Sequence, residues 1–148
     1  MAHLTILSTV LSADVLAELL GIRPDERWER GTRPHARGKF AGCSLGSRLP
    51  DTAAPDAHLA DLLERLGPVA ANVRSLVGDN RVHSVRLWVY HSIPNWNPGL
   101  SIPAPVVERI NSLGTGLEVD VYVTEGAAPI ALNSHLSHSA SPGDIAGH

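Results

Sequence analysis

A single cysteine, Cys43, leaves this chain without an internal disulfide and without the cysteine set of a structural zinc site, a usage that fits a reducing compartment. No apolar run approaches the roughly 18 residues needed to cross a bilayer. The N-terminal stretch LTILSTVL has no basic segment before it and is broken by threonine and serine. Neither a signal peptide nor a membrane span is therefore expected, and the cytoplasm is the expected location. A net charge of -3 provides no basic surplus for phosphates, so nucleic acid is not an expected partner. Also missing are G-x-S-x-G, the phosphate-binding P-loop and G-x-G-x-x-G, which removes the sequence support for the commonest hydrolase, nucleotide and dinucleotide chemistries.

What is present is an ordinary globular balance, 43% apolar and 18% charged over 148 residues. That length suits one domain, which buries roughly 70% of the surface its unfolded chain exposes. Residues 3–11, HLTILSTVL, read as a strand. Ser12 is an N-cap type with Asp14 in the turn behind it, Val15, Leu16, Leu19 and Leu20 share one helical face, and Gly21 stands where a left-handed cap would stop the helix. Residues 22–38 show no period, and residues 38–49 read as an edge or irregular strand weakened by Gly42 and Gly46. Residues 55–79 are the clearest helix. Leu59, Leu62, Leu63, Leu66, Val69, Ala70, Val73, Leu76 and Val77 keep a 3.6 period through Gly67 and Pro68, where the lost backbone bond predicts a kink or two pieces.

In residues 81–90, Val85, Leu87 and Val89 alternate with Ser84, Arg86, Trp88 and Tyr90. A short helix follows over PVVERINSLG, stopped by Gly114. In residues 117–123, Leu117, Val119, Val121 and Val123 are expected inside, with Glu118, Asp120 and Tyr122 outside. Because the strands alternate, one sheet face should carry the helices and the other should stay open. The expected fold is a two-layer α+β sandwich over residues 1–125, with a four-stranded, mostly antiparallel sheet and helices on one face. Residues 126–148 are small, polar and aperiodic, and are expected to form a disordered tail.

Four stretches carry a resemblance: LAELLGIRP at 16–24, W-x-x-G at Trp28 to Gly31, L-x-x-L-L-x-x-L-x-P at Leu59 to Pro68, and RINSLGTGLEVDVYV at 109–123. Their order and spacing resemble those of the bacterial domain-of-unknown-function family DUF4279 over roughly residues 3–124. The resemblance implies a short helix ending in Leu-Gly, a tryptophan soon after it, and an acidic, alternating last strand. The chain departs from the pattern at AGCSLGS, where a large residue would stand beside Ser44 and Leu45. No activity is established for the family, so no catalytic residue carries over.

Residue chemistry then supplies the candidates. His83 and His91 lie on one strand about 26 Å apart at ~3.3 Å per residue, too far to share an ion. His135 and His138 have no acidic or cysteine neighbour, and Cys43 has no histidine beside it, so no metal, cofactor or thiol nucleophile is expected. The segment 22–39 gathers Arg23, Arg27, Arg30, Arg33, Arg37 and Lys39 around Trp28, while Asp25, Glu26 and Glu29 interrupt the charge and oppose phosphates. Trp28 there reads as an apolar anchor, and the arginines around an aromatic have hot-spot composition suited to an acidic protein partner. With the open sheet face, the expected partner-binding set is Arg27, Trp28, Arg30, Arg86, Trp88, Tyr90, Trp96, Asp120 and Tyr122. The expected role is a noncatalytic module that recognises another protein, as immunity proteins do. The competing expectation is a small-molecule or enzymatic site built from Arg86, His91, Glu118 and Asp120, the last two about 6.6 Å apart at the strand's ~3.3 Å rise.

Overall fold

A computed structural model describes residues 1–33, 38–94 and 100–124. Within them the chain runs β1 (Ala2–Ser8), α1 (Ala13–Leu20), β2 (Glu26–Trp28), β3 (Ala41–Gly46), α2 (Pro55–Leu66), a 3-10 turn (Gly67–Val69), α3 (Ala70–Gly78), β4 (Ser84–Pro94), α4 (Ala104–Leu113) and β5 (Gly116–Thr124). The expected tail at 126–148, Trp96, and the histidines at 135 and 138 lie outside the described residues.

Local chemistry sets the element boundaries. The Ser8 hydroxyl accepts the N–H groups of Val10 and Leu11 at 3.0 and 2.8 Å and donates to the Arg81 carbonyl at 2.6 Å, turning the chain out of β1. The Ser12 hydroxyl then accepts the Val15 N–H at 3.3 Å as the N-cap of α1. Gly21 closes that helix at φ 77°, and its missing side chain leaves room for Asn72 of α3, whose amide donates to the Leu20 carbonyl. Pro68 divides the long apolar period into two helices joined by the 3-10 turn, while Leu59, Leu62, Leu63, Leu66, Val69, Val73 and Leu76 stay buried across the break. Val77, at the end of the same period, is exposed.

The α+β arrangement with helices on one face is as the alternation predicts, but the sheet differs from the expected four-stranded, mostly antiparallel one. It is mixed and five-stranded, in the order β2-β3-β1-β4-β5. The first three pairings are antiparallel and β4 with β5 is parallel, joined through α4. The added strand, β2, has three residues, too few to show a period. Its pairing moves β3 from the expected edge into the interior, where Ala41, Cys43 and Leu45 are buried. Ala2, Leu4, Ile6, Leu45, Leu87 and Val89 meet Leu16, Leu20, Leu59, Leu62, Leu66 and Val73 in one core. The expected inward set of β5 is also corrected. α4 buries Ile110 and Leu113 in the core and packs Val106 partly against it, so Leu117 is partly covered, while Val119 and Val121 remain 38% and 51% exposed.

One polar side chain is sealed into this core. His58 of α2 is fully buried, with Nδ1 3.0 Å from the Ser47 hydroxyl and Nε2 without a partner among the described residues. Burial, followed by the nearby N-terminal charge, pushes its pKa below the ordinary value. A histidine with a depressed folded pKa binds protons more readily when unfolded. Its stabilising contribution is therefore complete above about pH 6.5 and declines as pH falls from there towards the folded value. The urea midpoint is expected to drop over that window, and His58→Gln should flatten the drop; equal slopes in the two proteins would contradict it.

Candidate functional site

The face away from the helices is built from rows of residues in register. Trp28, Gly42, Leu7 and Ser84 form one row; Glu26, Ser44, Thr5, Arg86 and Gly116 form the next. Gly46, His3, Trp88 and Glu118 follow, then Tyr90 opposite Asp120. Small side chains at Thr5, Ser44, Gly46 and Ser84 make a low floor between Trp28 and Arg33 on one side and Arg86, Trp88 and Tyr90 on the other. The result is a concavity of about 760 Å³ lined by four strands, within the size range of ligand-binding clefts.

Trp28 of β2 and Arg33 after it form one wall. Gly31 N–H donates to the Gly38 carbonyl at 2.8 Å and closes the loop, placing the Arg33 guanidinium 4.7 Å from the centre of the Trp28 ring. Arg33 also pairs with Glu26 at 2.7 Å. Trp28 itself lies on Gly42: a Cβ there would come 2.5 Å from its Cζ2 and 2.7 Å from its Cε2. Below this wall, the side chain of Arg65 from α2 is only 9% exposed and holds Asp25 at 3.0 Å and the Gly46 carbonyl. Partial burial alone would raise the Asp25 pKa, but the Arg65 hydrogen bond, the Gly46 N–H and the charges of Arg65 and Arg48 outweigh it and hold the carboxyl below its usual range.

At the opposite wall Arg86 pairs with Glu118 across β4 and β5. The rings of His3 and Tyr90 stack with centres 5.3 Å apart, and those of Tyr90 and Tyr122 with centres 6.1 Å apart, a stepped platform across three strands. The Tyr122 side of this platform is 55% exposed.

The family model described as Domain of unknown function (DUF4279) matches residues 1–124. The chain belongs to DUF4279. No curated protein and no solved structure matches it. In this DUF4279 chain the small residues of AGCSLGS have a packing reason, since Gly42 leaves the space that the Trp28 indole occupies.

The expected binding set divides between the two faces. Trp28, Arg86, Trp88 and Tyr90 line the concavity, and Asp120 and Tyr122 continue the same face along β5. Arg27 does not join them: it sits in register with buried Cys43, on the helix side, and pairs with Asp14 of α1 at 2.6 Å. Arg30 donates to the Thr9 carbonyl. Of the residues named for an enzymatic site, Arg86, Glu118 and Asp120 share the open face and His91 does not join them. His91 follows the parity of Val85, Leu87 and Val89 towards the helix side, whereas Asp120 stands opposite Tyr90 on the open face and Glu118 is held by Arg86. Burial pushes the Cys43 thiol up to about 12, the opposite of what a thiolate nucleophile needs. His3, Thr5, Ser44 and Arg33 were not in the expected set. The alternation of His3 and Thr5 with Leu4 and Ile6 is the signal that could have placed the first two.

Proposed function

We propose that this chain is a noncatalytic bacterial recognition domain, working in the cytoplasm, that binds another protein through its open sheet face. The observation that carries the reading is the walled concavity on the one sheet face that the helices leave uncovered. Its tryptophans, tyrosine and arginines have the composition of interface anchors, and its depth suits insertion of a partner side chain. Neutralisation of a toxin, the role of immunity proteins, is the form of recognition we favour for a domain of this size.

All three arginines expected at the interface, Arg27, Arg30 and Arg86, are engaged on the protein's own framework, so the contact energy is assigned to Trp88 and Tyr90. The test is capture from extracts of the native host on the immobilised chain, followed by isolation of the complex at defined stoichiometry. Trp88→Ser, checked for an intact fold by circular dichroism, is expected to abolish the complex, whereas the pair Arg27→Ser and Arg30→Ser should retain it. Retention by Trp88→Ser would refute the assignment. The volume of the concavity also supports a second reading, a small-molecule site, and recovery of a Trp88-dependent metabolite in place of a protein would decide for it.

A further inference from the structure

The charges on the open face identify what kind of side chain it receives. At the β2 end, the aromatic ring of Trp28 and the carboxylate of Glu26 together hold a guanidinium, that of Arg33, by stacking at 4.7 Å and an ion pair at 2.7 Å. At the β5 end the same two ingredients recur without the third. Asp120 stands opposite Tyr90, Tyr122 follows two positions later on the same face, and the rings of Tyr90 and Tyr122 stack 6.1 Å apart. No cation pairs with Asp120 among the described residues: Arg86 on the same face is held by Glu118, and the Met1 ammonium donates to the Tyr90 carbonyl at 3.2 Å. Both arginines lining the concavity thus already have a carboxylate, and the face has an aromatic and anionic end open to solvent, with Tyr122 55% exposed.

We propose that this end is a docking site for an arginine side chain of the partner protein, stacked on the exposed ring of Tyr122 and paired with Asp120. The proposal rests on the recognition reading of the open face and reverses the expectation of an acidic partner. Arginine is favoured over lysine because a planar guanidinium stacks on tyrosine rings and meets a carboxylate with two parallel N–H groups, whereas an ammonium offers only a compact charge. It also repeats in trans the arrangement that the fold uses internally at Trp28.

The test is an amide NMR titration of the full chain with three blocked tripeptides, Gly-Arg-Gly, Gly-citrulline-Gly and Gly-Glu-Gly. Citrulline keeps the shape of arginine and removes its charge. The arginine peptide is expected to shift the amides of Trp88, Tyr90, Asp120 and Tyr122, with citrulline about fivefold weaker and the glutamate peptide without effect. Asp120→Asn, a nearly isosteric change at a partly exposed position, should weaken the arginine peptide about fivefold and leave the citrulline peptide unchanged. Equal binding of arginine and citrulline, insensitivity to Asp120→Asn, or arginine shifts confined to another surface would each overturn the proposal. None of these touches the recognition reading, which stands or falls on the Trp88-dependent complex.

Discussion

Replacing Trp28 by alanine is expected to lower the unfolding free energy by about 3 kcal/mol, at the low end for loss of a large aromatic because the ring is only half buried. The indole lies against Gly42, carries the Arg33 guanidinium over its ring, and anchors a strand of three residues to the sheet. Without it, β2 loses its principal apolar contact with the face. The complementary change is Gly42→Ala, whose new methyl group would meet the ring and also the Ile6 carbonyl oxygen at 2.8 Å. Overpacking of this kind costs about 1 to 3 kcal/mol. In a double-mutant cycle the two costs should fall short of additivity, because removing the indole relieves one of the two clashes and leaves the other. Urea unfolding of the four proteins measures both the total and the coupling. A loss below about 1 kcal/mol for Trp28→Ala would place the ring outside the packed structure.

A second large effect is expected at the centre of the sheet. Leu4 is 1% exposed on the middle strand, between Leu45 and Leu87 in one row under the helices. Leu4→Ala removes buried methyl groups where neighbours on both sides are fixed by the ladder, so the cavity relaxes little and the cost is expected near 3 to 4 kcal/mol, about the middle of the range for such truncations. Val121→Ser provides the contrast. By sequence alternation it is equivalent to a core residue, yet it is half exposed, and its replacement should change stability by no more than about 0.5 kcal/mol. Chemical denaturation of both variants distinguishes the two positions; comparable losses would mean that β5 is covered.

The same contrast runs through the candidate site. Alternation in β4 was sufficient to place Arg86, Trp88 and Tyr90 together on one face, because the pleat alone dictates which neighbours along a strand share a side. It was insufficient for the arm, where Arg27 and Trp28 are adjacent in sequence and were expected at one interface. As part of β2 they point to opposite faces, one to Asp14 and one to the concavity. Nothing local reveals that strand, since its pairing partner lies fifteen or so residues away and its stabilisation comes from the fit of an indole over a glycine.

By itself, then, the sequence determined what depends on short-range chemistry: the Ser12 and Gly21 caps, the stop at Gly114, the division of a long apolar period at Pro68, and the alternation of β4. Each of these follows from dihedral preference or from a hydrogen bond between residues close in the chain. Only the tertiary structure decided the order β2-β3-β1-β4-β5, the interior place of β3, the parallel pairing of β5, the exposure of Val119 and Val121, and which groups engage Arg27, Arg30, Arg33 and Arg86. Those outcomes depend on which distant surfaces cover one another. A residue's apolarity and spacing state what it would gain from being covered, but the covering element is supplied by long-range packing.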